Sequence, residues 1–576
     1  MRAKALRRVP LQISMLFIIL FLLISAGSVT VQAAPRASIS VNSMDDPGDG
    51  TCNLSECTLR EAIDLANSGP GLDTIDFNGL SGGAPYIIQP GSALPDITEA
   101  VILDGTTHPD YAGAPVIWIE GSNVGPTDDG LVITSGGSTV RGLIIGGFGN
   151  SGLVLRTGGG NTVEDNYIGI DDTGSFINPN GFEGIEVDGS ASNLIQDNVI
   201  SGNGADGIGF WGSGASNNQV YGNLIGLDPT GVTDMGNTAA GVYILAGSNN
   251  VIGGVVPGQS NVIAGNGKGV EISGVGNSVK ANLVGYAADG VTPMVNDGEA
   301  FVLSVAGSSL TVAGNQTRVK NTQPAFRLNS GTLTAYANNL SGFGSGVINT
   351  GGTFKGAHNW WGSAFTAPLG LSAADWAARL GAPMAAWAEG NGSATLGSAM
   401  LSGGTGTAVI VSHGRGLANA PFGNGVAPYV DQMCSEFYDF FTVNGSGTWQ
   451  ADVPVDNTVD CNANTLTPMK LAWIPAGTDY TAECTPASNT NCWDGIPVVR
   501  VSAPGGQILR VNGLTVAELG GTQIVAGDSG GNDPTVVSLA GFAARPADQS
   551  FGWAAGIAVL ALAAVALFAV RRLLRD

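Results

Sequence analysis

The chain has 576 residues, enough for two to four domains, and its 89 glycines are about twice the ordinary share. It has no Gly-X-Y period and 43% of its residues are hydrophobic, which excludes collagen and a disordered chain. With 46 acidic against 23 basic residues the net charge is −23, so nucleic acid is excluded as a partner, and a polyanionic sugar would need a divalent cation between it and the protein.

Arg2, Lys4, Arg7 and Arg8 precede an apolar run from Leu16 to Ile24, and Val31-Gln-Ala33 supplies the small residues a signal peptidase reads. Residues 1–33 are therefore expected to be a secretory signal peptide. In the exported part, Cys52 and Cys57 are close enough for a tight local disulfide. Thr58-Leu-Arg-Glu61 then reads as a capping box, and Leu59, Ala62, Ile63 and Ala66 fall on one helical stripe. Such a helix suits the open end of a solenoid, so residues 34–99 are expected to be an N-terminal cap with the first strands.

From residue 100 to 362, short apolar bursts alternate at period two, as in Gly184-Ile-Glu-Val187, Gly207-Ile-Gly-Phe210 and Gly241-Val-Tyr-Ile244. That is a strand signal. A second phrase recurs as Asn166-Tyr-Ile-Gly169, Asn198-Val-Ile-Ser-Gly202, Asn223-Leu-Ile-Gly226, Asn261-Val-Ile-Ala-Gly265, Asn282-Leu-Val-Gly285, Asn339-Leu-Ser-Gly342 and Asn359-Trp-Trp-Gly362. With Asn315 standing for a degenerate copy, the asparagines are 20 to 38 residues apart, a period that suits a solenoid. Short strands broken by Gly and Asn describe a parallel β-helix, a rod about 45 Å long for about nine or ten coils. Asparagine suits its corners because it tolerates left-handed backbone and its amide can bond the same side chain one coil above.

Cys57-Thr-Leu-Arg-Glu-Ala-Ile63 resembles the CSLREAI segment of many exported right-handed β-helix proteins, with Thr58 in place of the usual Ser. Ile168-Gly-Ile-Asp-Asp-Thr-Gly174, Asn250-Val-Ile-Gly-Gly254, Asn261-Val-Ile-Ala-Gly-Asn266 and the closing Asn359-Trp-Trp-Gly362 are similar to repeats of that group. The resemblance spans roughly residues 50 to 362 and implies an all-β fold, a right-handed parallel β-helix of the pectate-lyase-like kind. It implies no single activity, since such proteins include pectin-degrading enzymes, epimerases, adhesins and proteins without known activity.

Three units carry an extra loop after the Asn phrase: Asp171 to Asn180, Asp228 to Asn237 and Ala288 to Asp297. They are expected to stack into an acidic ridge bearing Asp171, Asp172, Asp228, Asp234, Asp289 and Asp297. Its loops read first as Asx turns, with calcium or ligand binding as the alternative. A polygalacturonase-like hydrolase would need Asn-Thr-Asp, Gly-His-Gly and Arg-Ile-Lys motifs, which the chain lacks. A lyase would need a base beside the acidic groups, and the order of residues places none of Arg141, Arg156, Lys268, Lys280, Arg318, Lys320 or Arg327 there. His108, His358 and His413 have no neighbour at metal-ligand spacing and read as surface or packed residues, and Trp360 and Trp361 as an end plug.

Ser372 to Leu380 reads as a short N-capped helix, and the Gly/Ser/Ala-rich stretch 390–406 as a hinge. Residues 407–540 are expected to be a β-sandwich-like module holding Cys434, Cys461, Cys484 and Cys492, whose three connectivities stay open. Its Trp449, Trp473 and Trp493 read as core residues, with a sugar platform as the alternative. A stalk over 541–552 leads to an apolar run, Trp553 to Val570, followed by Arg571, Arg572 and Arg575; this predicts a transmembrane anchor with residues 571–576 in the cytoplasm. The tail resembles C-terminal sorting signals but lacks a Leu-Pro-x-Thr-Gly motif. The expectation is a surface-anchored, non-catalytic carbohydrate-binding, adhesive or structural protein; the alternative is a polysaccharide lyase, hydrolase or epimerase. An enzyme would gather acid, base and cation over adjacent coils, whereas a scaffold need not.

Overall fold

The structure, a computed structural model, describes residues 38–46, 48–362, 369–373, 380 and 383–413, and the segments 432–433, 438–455, 469–474, 498–503, 506–515 and 522–528. The expected signal peptide, the helix over 372–380 for the most part, Cys434, Cys461, Cys484, Cys492, Trp493, the stalk, the anchor at 553–570 and the tail lie outside the described residues, as does the side chain of Trp473. Among the described residues no helix is long and apolar enough to cross a membrane.

Alternating apolar residues shape three parallel sheets that coil around one core. Sheet A has 12 strands, from Ile39–Ser40 to Thr353–Lys355; sheet B has 10, from Tyr86–Ile88 to Asn339–Ser341; sheet C has 9, from Leu131–Ile133 to Ser345–Asn349. One coil runs through Thr162–Glu164 in A, Tyr167–Ile168 in B and Ile185–Asp188 in C, and the next begins at Leu194–Gln196, paired in register with Thr162–Glu164. Within Ile185–Asp188, Ile185 and Val187 are buried while Glu186 and Asp188 face outward. The same alternation in neighbouring coils stacks Leu on Val on Phe along the axis, with Val187 between Leu155 and Phe210. At about 4.8 Å per coil the rod is about 50 Å long. It exceeds the expected length because sheet A already includes the strands of the cap.

Each of the three corners holds a buried file of asparagines. Between sheets A and B the file is Asn166, Asn198, Asn223, Asn261, Asn282, Asn315, Asn338 and Asn359, each Nδ2 donating to the Oδ1 of the next at 2.8–3.0 Å. Between C and A it is Asn161, Asn193, Asn218, Asn250 and Asn277. Between B and C it is Asn180, Asn203, Asn237, Asn266 and Asn296. Two details differ from the expectation. The ladder takes Asn338 and not Asn339, whose side chain instead exchanges hydrogen bonds with the Met384 backbone. The left-handed backbone belongs mostly to the residue before the asparagine, as at Asp165, Asp197, Ala281, Ala337 and His358. The asparagine is thus chosen for its side-chain donor and acceptor, not for its own φ.

At the N-terminal end the helix α1, Leu59–Asn67, is capped as expected: Thr58 Oγ1 accepts from Glu61 N at 3.3 Å and Thr58 N donates to Glu61 Oε2 at 2.9 Å. Its Leu59, Ala62, Ile63 and Ala66 are buried in the same core as the first strands. Cys52 and Cys57 are joined by a disulfide just before it.

Beyond the coils, the hinge expected over 390–406 is instead a long hairpin, Ala386–Leu396 with Ala399–Ser412, because the small residues there pair by backbone. It belongs to a 9-stranded antiparallel strand set in which Ala399–Ser412 pairs with Tyr438–Ser446 through one half and with Thr448–Val455 through the other. Trp449 is buried in it, as a core residue. This sheet packs on the last coils: Val409, Val411 and Phe441 meet Ala313, Tyr336 and Ala337. Lys280 pairs with Glu389, which also accepts from Tyr336 Oη at 2.7 Å. His358 is stacked on Phe441 with ring centroids 4.0 Å apart, and His413 Nε2 lies 3.0 Å from Asp439 Oδ2, so both histidines are packed. Trp361 closes the coil core against Phe326 and Phe343.

Candidate functional site

The three long loops leave sheet B at equivalent points and lie on one another. Each is closed by an antiparallel bridge, Ile170 to Ile177, Leu227 to Asp234 and Tyr286 to Pro293, and Ala288 N donates to Gly231 O at 2.8 Å between neighbours. Their leading aspartates serve the loops themselves. Asp171 Oδ1 accepts from Ser175 N and Phe176 N, Asp228 Oδ1 from Val232 N and Thr233 N, and Asp289 Oδ1 from Val291 N and Thr292 N. Burial opposes the charge of Asp228 and Asp289, yet the hydrogen bonds from their own loops outweigh it and lower both pKa values. Asp234 accepts from Gly236 N, Asp297 pairs with Lys320, and Asp172 stands partly exposed beside Asp171. Among the described residues these six do not converge at metal-sharing distance. The carboxylates that do are Asp49, Glu56 and Glu61, and Glu61 is already committed to the amides of Gly50, Thr51 and Thr58.

The outer face of sheet C gathers a different set. Strand register puts Glu186, Gly209, Tyr243 and Glu271 in one row, and Asp188 beside Trp211. Two residues before each first inward apolar residue lie Glu183, Asp206 and Lys268, at the margin of the same face. An open groove of about 400 Å3 is lined by Asp206, Tyr243, Lys268 and Glu271 together with Thr238, Ala239, Ala240 and Gly267. Phe182, Trp211 and Tyr243 form an aromatic run that meets the groove at Tyr243, Phe182 stacked with Trp211 at 6.4 Å and Trp211 edge-on to Tyr243 at 5.4 Å.

The electrostatics of this face are uneven. Its cations are paired: Lys268 with Glu271 at 2.6 Å, Arg327 with Glu299, and Arg156 with Asp188 at 3.3 Å and Asp129 at 3.6 Å. Glu183, Glu186 and Asp206 have no such partner. Ser151 Oγ bridges the first two, 3.1 Å from Glu183 Oε2 and 2.9 Å from Glu186 Oε2. Burial first and the neighbouring Glu186 second push Glu183 up to about 8, against the hydrogen bonds of its own amide and Ser151. Burial raises Glu186 as well and lifts Asp206 to about 6, despite the Ala240 N–H at 2.6 Å and nearby Lys268. Such perturbed carboxyls in a cleft are what acid–base or cation-binding sites use.

Gly209 lets Glu183 and Trp211 pack directly over its backbone, with no space for a side chain of its own. A β-carbon at position 209 would lie 2.9 Å from Trp211 Nε1 and 3.2 Å from Glu183 Oε1, and neither of those atoms has a side-chain or backbone partner of good hydrogen-bond geometry. None of Glu183, Glu186, Asp206, Trp211 or Tyr243 was singled out from the sequence. The available signal was the outward position of each Gly-x-x-x burst, but its meaning depends on which bursts are neighbours, and the unequal loops between them hide that.

A family model described as right handed beta helix region matches residues 129–340. It begins beyond the Cys57 to Ile63 segment, so it leaves that resemblance as a sequence expectation. No curated protein matches the chain. Among solved structures it is similar to ORF18 of Geobacillus virus E2, with 12% identity, a TM-score of 0.24 and coverage of 89% of this chain and 81% of that one. It is also similar to the A-module of mannuronan C-5 epimerase AlgE4 of Azotobacter vinelandii, with 12% identity, a TM-score of 0.21 and coverage of 54% and 94%. Neither likeness bears on what this chain does. The coils that carry Glu183, Gly209, Trp211 and Tyr243 lie within residues 129–340, the stretch that matches the right-handed β-helix family.

Proposed function

We propose that this is an exported, membrane-anchored polysaccharide-binding protein whose binding surface is the outer face of sheet C. The observation that carries the reading is the aromatic run Phe182, Trp211 and Tyr243 beside a groove lined by Asp206, Lys268 and Glu271. Aromatic faces bind the apolar faces of sugar rings while flanking carboxylates accept from their hydroxyls. The regular coil spacing extends such contacts along a chain-like ligand, as solenoid surfaces do. Export and anchoring rest on the signal-like N-terminus and on the apolar run before Arg571, Arg572 and Arg575. The acidic ridge supports the fold in this reading, its leading aspartates closing their own loops.

A second reading is a polysaccharide-active enzyme on the same face. It is favoured by Asp206, Tyr243, Lys268 and Glu271 lying together over adjacent coils, which supplies acid, base and cation in one groove. The full-length protein, tested for retention on a panel of polysaccharides and for release of new chain ends, separates the two. Retention that is lost in Trp211→Ala and Tyr243→Ala without product establishes binding. New reducing or unsaturated ends establish the enzyme, and retention unchanged by both substitutions overturns the assignment of this face.

A further inference from the structure

We infer, resting on the sheet C binding face, that its ligand is an uncharged glycan read over about four sugar units, close to one per coil, and that Lys268 sets this preference by matching the groove's carboxylates from within.

The charged side chains that line the groove are Asp206, Lys268 and Glu271. Lys268 Nζ lies 2.6 Å from Glu271 Oε2, Glu271 Oε1 accepts from Ser304 Oγ at 2.9 Å, and Asp206 Oδ1 accepts from Ala240 N at 2.6 Å. Along the same face Arg156 is held by Asp188 and Asp129, and Arg327 by Glu299. Among the described residues of this face a polyuronate therefore meets no unpaired cation, while Asp206 and Glu271 repel it. An amino sugar is also disfavoured. Its ammonium would have to displace Lys268, which stands on the same strand as Glu271 and so competes at high effective concentration. Glu183 and Glu186 stand outside the groove and offer it no second place there. Hydroxyl groups need no such exchange, because an ammonium has more N–H donors, and a carboxylate more lone pairs, than one ion pair uses.

Length follows from which outward positions are covered. In register the outer row of sheet C runs Val132, Val154, Glu186, Gly209, Tyr243, Glu271, Val302 and Arg327. Val132, Val154 and Val302 are buried although they lie outside the coil core, so the row is covered on either side of the stretch from Glu186 to Glu271. That stretch crosses four coils, three steps of about 4.8 Å or about 14 Å in all. Within it Trp211 packs over Gly209 and meets Tyr243 edge-on, and Tyr243 borders the groove. Sugar rings laid along the axis at close to the coil spacing would occupy it with about four units, their apolar faces on the aromatic rings and their hydroxyls at the paired charges.

The test uses the full-length chain in calorimetry with oligomers from disaccharide to octamer. Cello-, manno- and xylo-oligosaccharides serve as neutral ligands, and oligogalacturonates and glucosamine oligomers as charged ones. The expected result is that a neutral series binds at least tenfold tighter than either charged series, with affinity that rises to about the tetramer, then levels off, and changes little with salt. Lys268→Met leaves Asp206 and Glu271 unmatched and should raise affinity for the glucosamine oligomers at least tenfold. Because the ranking of ligands uses the unaltered protein, it decides the matter even where that variant does not fold. Tighter binding of the galacturonate or glucosamine oligomers by the unaltered chain overturns the uncharged-ligand inference and leaves the polysaccharide-binding reading standing. Affinity that still climbs beyond the hexamer overturns the assigned length, and a folded Lys268→Met protein that gains nothing for glucosamine overturns the role of Lys268. No binding of any oligomer overturns both the inference and the reading it rests on.

Discussion

The side-chain amide of Asn223 donates to Asn261 Oδ1 at 3.0 Å, and the same oxygen accepts the backbone N–H of Asn223 at 2.9 Å. Asn261 thus satisfies a backbone donor and a side-chain donor of the neighbouring coil, while its own Nδ2 donates to Asn282 Oδ1 in the next coil and to the corner carbonyl Val220 O. All of these groups lie where water does not reach, so each is costly to orphan.

Asn223→Ala should therefore destabilise the coils strongly. It removes the acceptor of Asn198 N and Asn198 Nδ2, and at about 1–3 kcal/mol per orphaned buried group the loss is on the order of 2–5 kcal/mol. Asn321→Ala, at an exposed position, serves as control and should stay within about 0.5 kcal/mol. Urea unfolding followed by far-ultraviolet circular dichroism measures both, and equal midpoints for the two variants would contradict the ladder's role.

Stability should fall as pH rises between about 4.5 and about 8 in proportion to the ionisation of Glu183. Its native pKa is raised to about 8, above the ordinary carboxyl value, so the folded state binds more protons than the unfolded one in that window. Asp206, raised to about 6, acts in the same direction over the lower part of it. Glu183→Gln should flatten the slope without lowering stability at pH 8. A steeper slope in the variant would refute the assignment.

His358 should act with the opposite sign. Burial holds its ring pKa near 4, below the unfolded value of about 6.5, so the unfolded state takes up a proton first and stability falls as pH drops from about 6.5 towards 4. The ring lies against Phe441, where the C-terminal sheet docks, so acid should loosen that contact before the coils. His358→Phe keeps an aromatic partner and should remove the acid sensitivity, read as protease cleavage between the two modules across pH 4 to 7. Unchanged sensitivity would place the acid-labile group elsewhere.

The ridge aspartates should separate into structural and dispensable members. Asp228→Ala removes the acceptor of Thr230 Oγ1, Val232 N and Thr233 N and should cost about 1–3 kcal/mol. Asp172→Ala should be nearly silent, since that side chain is partly exposed and its carboxylate makes no hydrogen bond among the described residues. Thermal melts with and without millimolar calcium test the other use of these loops. A calcium-dependent rise in Tm that Asp228→Ala abolishes would show that the loops bind the ion as well as closing their turns.

Local patterns in the sequence determined most of the fold. Period-two bursts specify strands with one buried face, the Thr58 to Glu61 box specifies α1, and asparagines at solenoid spacing specify corners, because each of these is set by residues adjacent in the chain. Register was less legible. Asn338 and Asn339 are both chemically able to join the ladder, and only the pairing of Gln316 with Asn339 decides that Asn338 points inward. The Gly/Ser-rich stretch near Gly390 looked like a hinge because backbone pairing across a hairpin leaves no mark on composition. The candidate site was hidden for the same reason. Glu183, Asp206 and Lys268 stand in different repeats separated by loops of unequal length, and Trp211 meets Tyr243 only because their coils are neighbours. The sequence by itself determined that coils form and which residues of each face outward; the tertiary structure decided which outward residues share a groove, because parallel stacking brings together side chains that the chain keeps some twenty to forty residues apart.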